Sequence, residues 1–319
     1  MSLRLRKSIF WIGFSLLFLG LITLGLSFWL QPPSGRTNFL VLGISGGNHS
    51  GPDLTDSIIF ISVENQTGKA LILSLPRDIW IAPLRAKLNT VYHYKGLDET
   101  KKMTEEILGQ KVDYSLVIDF EIFKKVVDFL GGVEVDVQRS FDDYKYPIPG
   151  KENDLCDGER TYQCRYEHLY FCRYEHLYFD AGKQTMNGEQ ALKYVRSRNA
   201  EGDEGTDFAR SQRQQRLILA LQKKIFKPEF VLKPRKIQQL IKLVLENIKM
   251  DVPKDQYLNL AKIGLKLRKN NFQTTVLNGG YLINPPTSKV KYDNQWVLVP
   301  ESGDWQAIHT HVKDLIDKL

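Results

Sequence analysis

Residues 9–30 (IFWIGFSLLFLGLITLGLSFWL) run for 22 positions without a charge. A bilayer core of roughly 30 Å is crossed by about 20 helical residues, so this run is long enough to span one. Trp11 and Trp29 lie near its two ends, where interfacial aromatics collect. The preceding MSLRLRK holds Arg4, Arg6 and Lys7. Positive flanks stay in the cytosol, so the run predicts a single-pass anchor with a cytosolic N-terminal tail (residues 1–8) and residues 31–319 outside. A cleaved signal peptide is the competing reading. Its apolar region is roughly 7–15 residues and ends at a small-x-small site. This run is longer and ends in Trp-Leu-Gln-Pro-Pro. With one such segment in the chain, a multi-span channel is excluded.

The exported part is globular in character. Hydrophobic residues make up 42% and charged residues 25%, which excludes a disordered or collagen-like chain. Of 44 Lys+Arg, three precede residue 8, leaving 41 against 37 acidic residues, or +4, in the exported part. An excess that small gives no reason to expect a nucleic-acid partner. Residues 31–38 (QPPSGRTN) read as a linker. Residues 39–44, 57–63 and 70–75 are short Ile/Leu/Val-rich runs of the kind that form central strands covered on both faces. Helices are expected at 98–108, 121–130, 207–225, 236–248, 254–269 and 304–315. Further strands are expected at 114–118, 133–137, 272–277 and 296–299. Gly131-Gly132 supplies the stop after the second helix. Alternating strands and helices argue for one α/β domain, a three-layer αβα arrangement. The spacing does not separate a parallel from a mixed sheet.

CRYEHLYF occurs twice in tandem, at 164–171 and 172–179. This reads as a local duplication in a surface loop, where insertions are tolerated. Cys156, Cys164 and Cys172 all lie there. Outside the cell a disulfide persists; Cys156 with Cys164 is the leading pair and Cys156 with Cys172 the other. Zinc on Cys164, His168, Cys172 and His176 is the sharper alternative, weakened because its spacing is the duplication itself.

Three clusters point to chemistry. Asp53 and Asp56, in GPDLTDS at a strand start, are hard oxygen donors suited to Mg²⁺, although an Asp-rich turn has the same composition. Arg77 and Asp78 close a strand in LPRD, with Lys87 nearby. Arg77 suits a forked contact to phosphate and Lys87 a point charge. The third cluster joins Arg196 and Arg198, in YVRSR, to DFARSQRQQ. If Val195 points inward, extended backbone would put both arginines on the opposite face. Thr206 or Asp207 is placed to cap the helix, and Arg210 and Gln214 at i and i+4 share one helix face. Arginines beside a helix start make a polyphosphate clamp; a solvated basic face is the plainer alternative.

On these residues the chain resembles the LytR-CpsA-Psr family of bacterial cell-envelope proteins. The matching stretches are FLVLGI, DLTDSIIFISV, LILSLPRDIWI, KLNTVYHY, VDYSLVIDFEIFKKVVDFLGGVEVDV, MNGEQALKYVRSR and DFARSQRQQ, in family order within residues 38–226. The resemblance implies an αβα domain with a central mixed sheet at residues 39–280 and a C-terminal extension at 281–319. It implies an apolar cleft for a prenyl tail, and phosphotransfer of a glycopolymer such as teichoic acid or capsule from a polyprenyl-pyrophosphate carrier to peptidoglycan at the cell membrane. Asp56 would hold Mg²⁺, and Arg77, Arg196, Arg198, Arg210 and Gln214 would contact the diphosphate. This chain departs from the family pattern at Ser45, Leu54 and Ala209, where an Asp, an Arg and a Gly are usual. Asp53 is the expected substitute metal ligand. Such a transferase needs no ATP motif, since the carrier's diphosphate supplies the energy. The alternative is a non-catalytic envelope regulator, or a binder of anionic glycopolymer.

Overall fold

Strand β1 (Arg36–Ile44) alternates from Phe39 onward, with Leu40, Leu42 and Ile44 buried on one face and Phe39, Val41 and Gly43 on the other. That period of two decides which helix layer each side chain meets. The computed structural model describes residues 31–47, 51–151, 153–156, 171–267, 272–277 and 279–319. The expected anchor at 9–30 and most of the first CRYEHLYF copy lie outside them. Among the described residues no helix is long and apolar enough to cross a membrane.

In chain order the first elements are β2 (Thr55–Glu64), β3 (Ala70–Leu75), a small hairpin of β4 (Trp80–Ile81) and β5 (Ala86–Lys87), helix α1 (Leu88–Leu108), β6 (Tyr114–Asp119) and α2 (Phe120–Phe129). Then come β7 (Val133–Val137), β8 (Phe141–Pro147), β9 (Tyr174–Phe179), β10 (Gly182–Met186), α3 (Gly188–Arg196) and α4 (Asp207–Ile225). The chain continues through α5 (Pro234–Asn247), β11 (Lys249–Met250), α6 (Tyr257–Lys266), β12 (Phe272–Val276), β13 (Leu282–Ile283), β14 (Val299–Pro300) and α7 (Gln306–Asp317).

The central sheet is mixed and six-stranded, in the order β11-β6-β1-β2-β3-β12. β1 runs parallel to β6 and antiparallel to β2, while β12 runs parallel to β3. Its even-numbered β1 face forms the main core. Leu40, Leu42, Ile58 and Leu73 pack there against Val91 and Ile107 of α1 and Ile308 and Val312 of α7. Residues 281–319 thus share the core of the sheet through Leu282, Ile308 and Val312. The opposite face meets α2, α4 and α6. A second core joins α2, α3 and α4 to the β7–β10 and β8–β9 pairs, through Val127, Val135, Phe141, Phe179, Tyr194 and Leu217.

The expected helix at 98–108 is the second half of a longer one. Helical hydrogen bonding begins at Leu88, and a break at Gly96 (φ 78°) re-aims the chain. Helix α4 has the expected bounds, because Thr206 accepts from the Ala209 N–H and fixes the first turn. Gly131 (φ 74°) ends α2 as expected.

Two readings of the 156–179 region are corrected. The disulfide joins Cys156 to Cys172, not Cys164. That bond also removes Cys172 from any zinc site, and His176 Nε2 lies 2.6 Å from Asp142 Oδ1 instead. The second CRYEHLYF copy is not loose surface loop. It forms β9, paired antiparallel to β8, and buries Leu177 and Phe179.

Candidate functional site

On the odd-numbered β1 face the strands and helices do not close against each other. Val41 of β1, Ile59 of β2, Ile118 of β6, Phe123 of α2 and Leu221 of α4 bound a cavity of about 360 Å³ between sheet and helices. Leu192, Val195, Leu217 and Ile218 extend this apolar lining. Part of the apolar face of 217–225 therefore lines a cavity, while Ile122 and Val127 of α2 are buried in the ordinary way.

One wall of the cavity is cationic. Arg77, Arg196, Arg198 and Arg210 all line it, with Asp56 and Gln214. The sequence groups these from separate stretches, and the fold brings them together. Arg77, Arg210, Asp56 and Gln214 also line a second, smaller cavity of about 210 Å³ on the β3–β12 side.

The extended geometry expected for 194–198 is corrected. Asn187 and Gln190 form a reciprocal capping box that starts α3, so Tyr194, Val195 and Arg196 are helical. The chain leaves the helix at Ser197 and Arg198 follows in the loop. Both arginines still face the cavity, because the loop is held from two sides. The Asp143 carboxylate accepts from Ser197 Oγ at 2.6 Å and from the Asn199 N–H at 3.3 Å. Arg213, 0% exposed, donates to the carbonyls of Tyr194, Ser197 and Glu204 and pairs with Glu204 Oε2 at 2.8 Å. A helix end leaves carbonyls unsatisfied, and here an arginine from α4 satisfies them.

The cations differ in their surroundings. Arg77 Nη1 lies 2.5 Å from Asp56 Oδ1, and its Nε is 3.5 Å from Asp78 Oδ2. Burial lowers its pKa, but Asp56, Asp78 and Asp207 overcome this and leave it raised. Arg210 is nearly enclosed. Burial lowers its pKa, Asp207 at 3.1 Å opposes this, and the nearby cations Arg77 and Arg198 lower it further. Its Nε is buried without a hydrogen-bond partner. Guanidinium groups do not deprotonate, so Arg210 stays charged in this enclosed place, with Asp207 3.1 Å away and an Nε that has no hydrogen-bond partner. Among the described residues Arg196 and Arg198 form no ion pair. Arg196 lies 4.3 Å over the Phe120 ring and donates to Tyr146 Oη at 2.9 Å. Burial, partly offset by Arg196, pushes Tyr146 up to about 12. Gln214 Nε2 donates to Ser57 Oγ at 2.8 Å.

Two expected residues stand apart. Lys87 Nζ is bound to Asp78 Oδ1 at 2.7 Å and supports the Arg77 loop without lining the cavity. Asp53 also does not line it; its carboxylate lies 4.0 Å from His93 Nδ1. Asp119, which the sequence pattern does not single out, does line the cavity, and its Oδ1 caps α2 through the Ile122 N–H. Sequence reasoning also misses Asp143 and Tyr146. They sit in FDDYKYP, where nothing in the pattern separates an inward Asp from a surface one. Among the described residues the one group of three possible metal ligands is Asp154, Cys156 and Cys172, and its cysteines are disulfide-bonded.

Fold and site define an α/β protein with an apolar cavity opening on an arginine wall. The sequence pattern of the LytR_cpsA_psr family matches residues 28–314, and the chain belongs to that family. It is 24% identical over 269 residues to the polyisoprenyl-teichoic acid–peptidoglycan teichoic acid transferase TagV of Bacillus subtilis (strain 168), covering 82% of this chain. The match spans 60% of TagV's own length. The crystal structure of B. subtilis TagV superposes with a TM-score of 0.62 at 24% identity, covering 89% of this chain and 98% of that one. A structure described as TagT bound to LIIa-WTA superposes with a TM-score of 0.57 at 21% identity, covering 88% and 90%. These likenesses establish the fold.

Proposed function

We propose that this chain is a membrane-anchored phosphotransferase that moves a glycopolymer from a polyprenyl-pyrophosphate carrier to peptidoglycan. The observation that carries the reading is the joining of four arginines to an apolar cavity. A prenyl tail needs a dry slot and a diphosphate needs cations, and the two needs meet at one wall. The transferase names of the relatives support the same reading.

Phosphoryl transfer depends on positioning and charge neutralisation more than on covalent catalysis. Arg77, Arg196, Arg198 and Arg210 would bind the diphosphate oxygens, with Arg196 and Arg198 available because no carboxylate among the described residues holds them. Gln214, held by Ser57, would donate to an oxygen beside Arg210. The apolar lining would exclude water, which strengthens each of these contacts.

Mg²⁺ commonly keeps one or two carboxylates and completes its shell with water and substrate phosphate. Asp56 fits that role at the cation wall, and Asp119 offers a second carboxylate in the same cavity. Asp53 does not fit. The ion would neutralise charge developing on the diphosphate.

The extracellular placement rests on the anchor at 9–30, and the Cys156–Cys172 disulfide supports it, since such bonds persist in oxidising compartments. Helix α5 buries no side chain and exposes Ile241 and Leu245 beside Lys236 and Lys242, which suits a surface working close to a bilayer.

The test is transfer in vitro. The full chain would be given a polyprenyl-diphosphate glycan, Mg²⁺ and peptidoglycan, and covalently attached glycan measured. The reading predicts attachment that disappears in Arg198→Ala. Binding of the donor without any attachment would leave a non-catalytic binder.

A further inference from the structure

The smaller cavity shares Asp56, Arg77, Arg210 and Gln214 with the larger one but lies on the other side of them. The larger cavity lies over β6, β1 and β2; the smaller lies over β3 and the end of β12. Its outer rim carries two aromatic rings that the fold leaves uncovered, Phe208 at 45% and Trp296 at 55% exposure. Trp296 is not held there by a loose tail. The Leu298 N–H donates to the Asp78 carbonyl at 2.9 Å, and the Trp80 N–H donates to the Leu298 carbonyl at 2.8 Å. The 296–298 segment is thus bonded to the loop that carries Arg77.

We infer that this smaller cavity is the acceptor site, and that it takes a saccharide of the acceptor glycan against Trp296 and Phe208. The inference rests on the phosphotransfer reading above and adds where the second substrate sits. In-line displacement puts attacking and leaving oxygens on opposite sides of the phosphorus. With the prenyl tail in the apolar cavity, the leaving phosphate lies on that side of the arginine wall. The attacking hydroxyl must then come from the other side, which is where the smaller cavity opens. Trp296 pairs an apolar face with an indole N–H and Phe208 adds a second apolar face, which suits a sugar ring with a C–H face and a hydroxyl rim.

The step balances without a further reactant. The acceptor hydroxyl oxygen forms a bond to the glycan-side phosphorus. The bond from that phosphorus to the bridging oxygen breaks, and its electron pair leaves with polyprenyl phosphate. The hydroxyl proton passes to a carboxylate of the smaller cavity. Asp78 is held by Lys87 and Arg77, and Asp56 by Arg77. Asp207 is half exposed and its contact to Arg210, at 3.1 Å, is looser than the 2.5 Å contact between Asp56 and Arg77, so it is the group placed to take the proton.

The test uses the full chain in detergent with an undecaprenyl-diphosphate disaccharide as donor and soluble glycan strands cut from peptidoglycan as acceptor. Donor Kd, acceptor KM and kcat are read separately. Trp296→Ala and Phe208→Ala should each raise acceptor KM about tenfold, with donor Kd held within about twofold. Trp296→Phe should restore most of the KM, which a merely unfolded loop would not do. Asp207→Asn should lower kcat about 100-fold with little change in acceptor KM. Unchanged acceptor KM in both aromatic variants, while the wild type transfers glycan, overturns this inference and leaves the phosphotransfer reading standing. A wild type that binds donor but transfers to no acceptor overturns both.

Discussion

Replacing Arg213 by Met should unfold the arginine wall from behind without touching the cavity. Arg213 is wholly enclosed and does not line either cavity. Its guanidinium lies 4.8 Å over the Phe141 ring, pairs with Glu204, and satisfies the carbonyls of Tyr194, Ser197 and Glu204. Met keeps much of the volume and removes every one of these donors. Breaking one side of a buried pair costs about 3–5 kcal/mol, since the remaining charge is stranded. Glu204 is itself buried, with a side chain 11% exposed, so little solvent relief is available. We therefore expect about 4 kcal/mol of lost stability, or a Tm lower by about 8–12 °C in a domain of this size. Urea denaturation followed by far-UV circular dichroism measures the first and calorimetry the second. Adding Glu204→Gln should recover about half of the loss, because the stranded charge is gone while the carbonyls stay unsatisfied. A loss under about 1 kcal/mol, or a double variant no better than the single one, would refute the reasoning.

Leu221→Trp should fill the apolar cavity, weakening binding of a polyprenyl diphosphate at least about tenfold while leaving binding of inorganic pyrophosphate unchanged, read by calorimetric titration. Ser57→Ala should free Gln214 and weaken diphosphate binding by about threefold to tenfold, the loss expected for one neutral hydrogen bond. Cys156→Ser opens a loop of 16 residues and should cost at most about 3 kcal/mol, with donor affinity unchanged, since neither cysteine lines the cavity. Gly109 caps α1 at φ 62°, and an added Cβ would lie 2.6 Å from His309 Cγ. Gly109→Ala should therefore destabilise the α1–α7 packing by about 1–2 kcal/mol, read by urea denaturation.

The legible parts of this chain are those written in local chemistry. Helix α4 can be bounded because Thr206 is a cap followed by a helical pattern, and α2 because Gly131 stops it. Arg77, Arg196, Arg198, Arg210, Gln214 and Asp56 can be grouped because each belongs to a recognisable stretch. Their geometry is less legible. The Val195–Arg198 stretch reads as extended backbone, but the Asn187–Gln190 capping box several residues upstream makes it the end of a helix. Asp143, Tyr146 and the Arg213–Glu204 pair are hidden because their role comes from burial by distant elements. The disulfide partner is ambiguous in sequence because the duplication offers Cys164 and Cys172 in identical settings. Only the pairing of β9 with β8 brings Cys172 to Cys156. Asp53 looks like a ligand from its spacing to Asp56, but the turn directs it toward His93.

Crystals of the chain grown with a polyprenyl diphosphate would test the central claim most directly. Diphosphate oxygens are expected within hydrogen-bonding distance of Arg77, Arg196, Arg198 and Arg210, with a tail running between Val41, Ile118 and Phe123. A lipid bound elsewhere, with those four guanidinium groups left facing water, would contradict it.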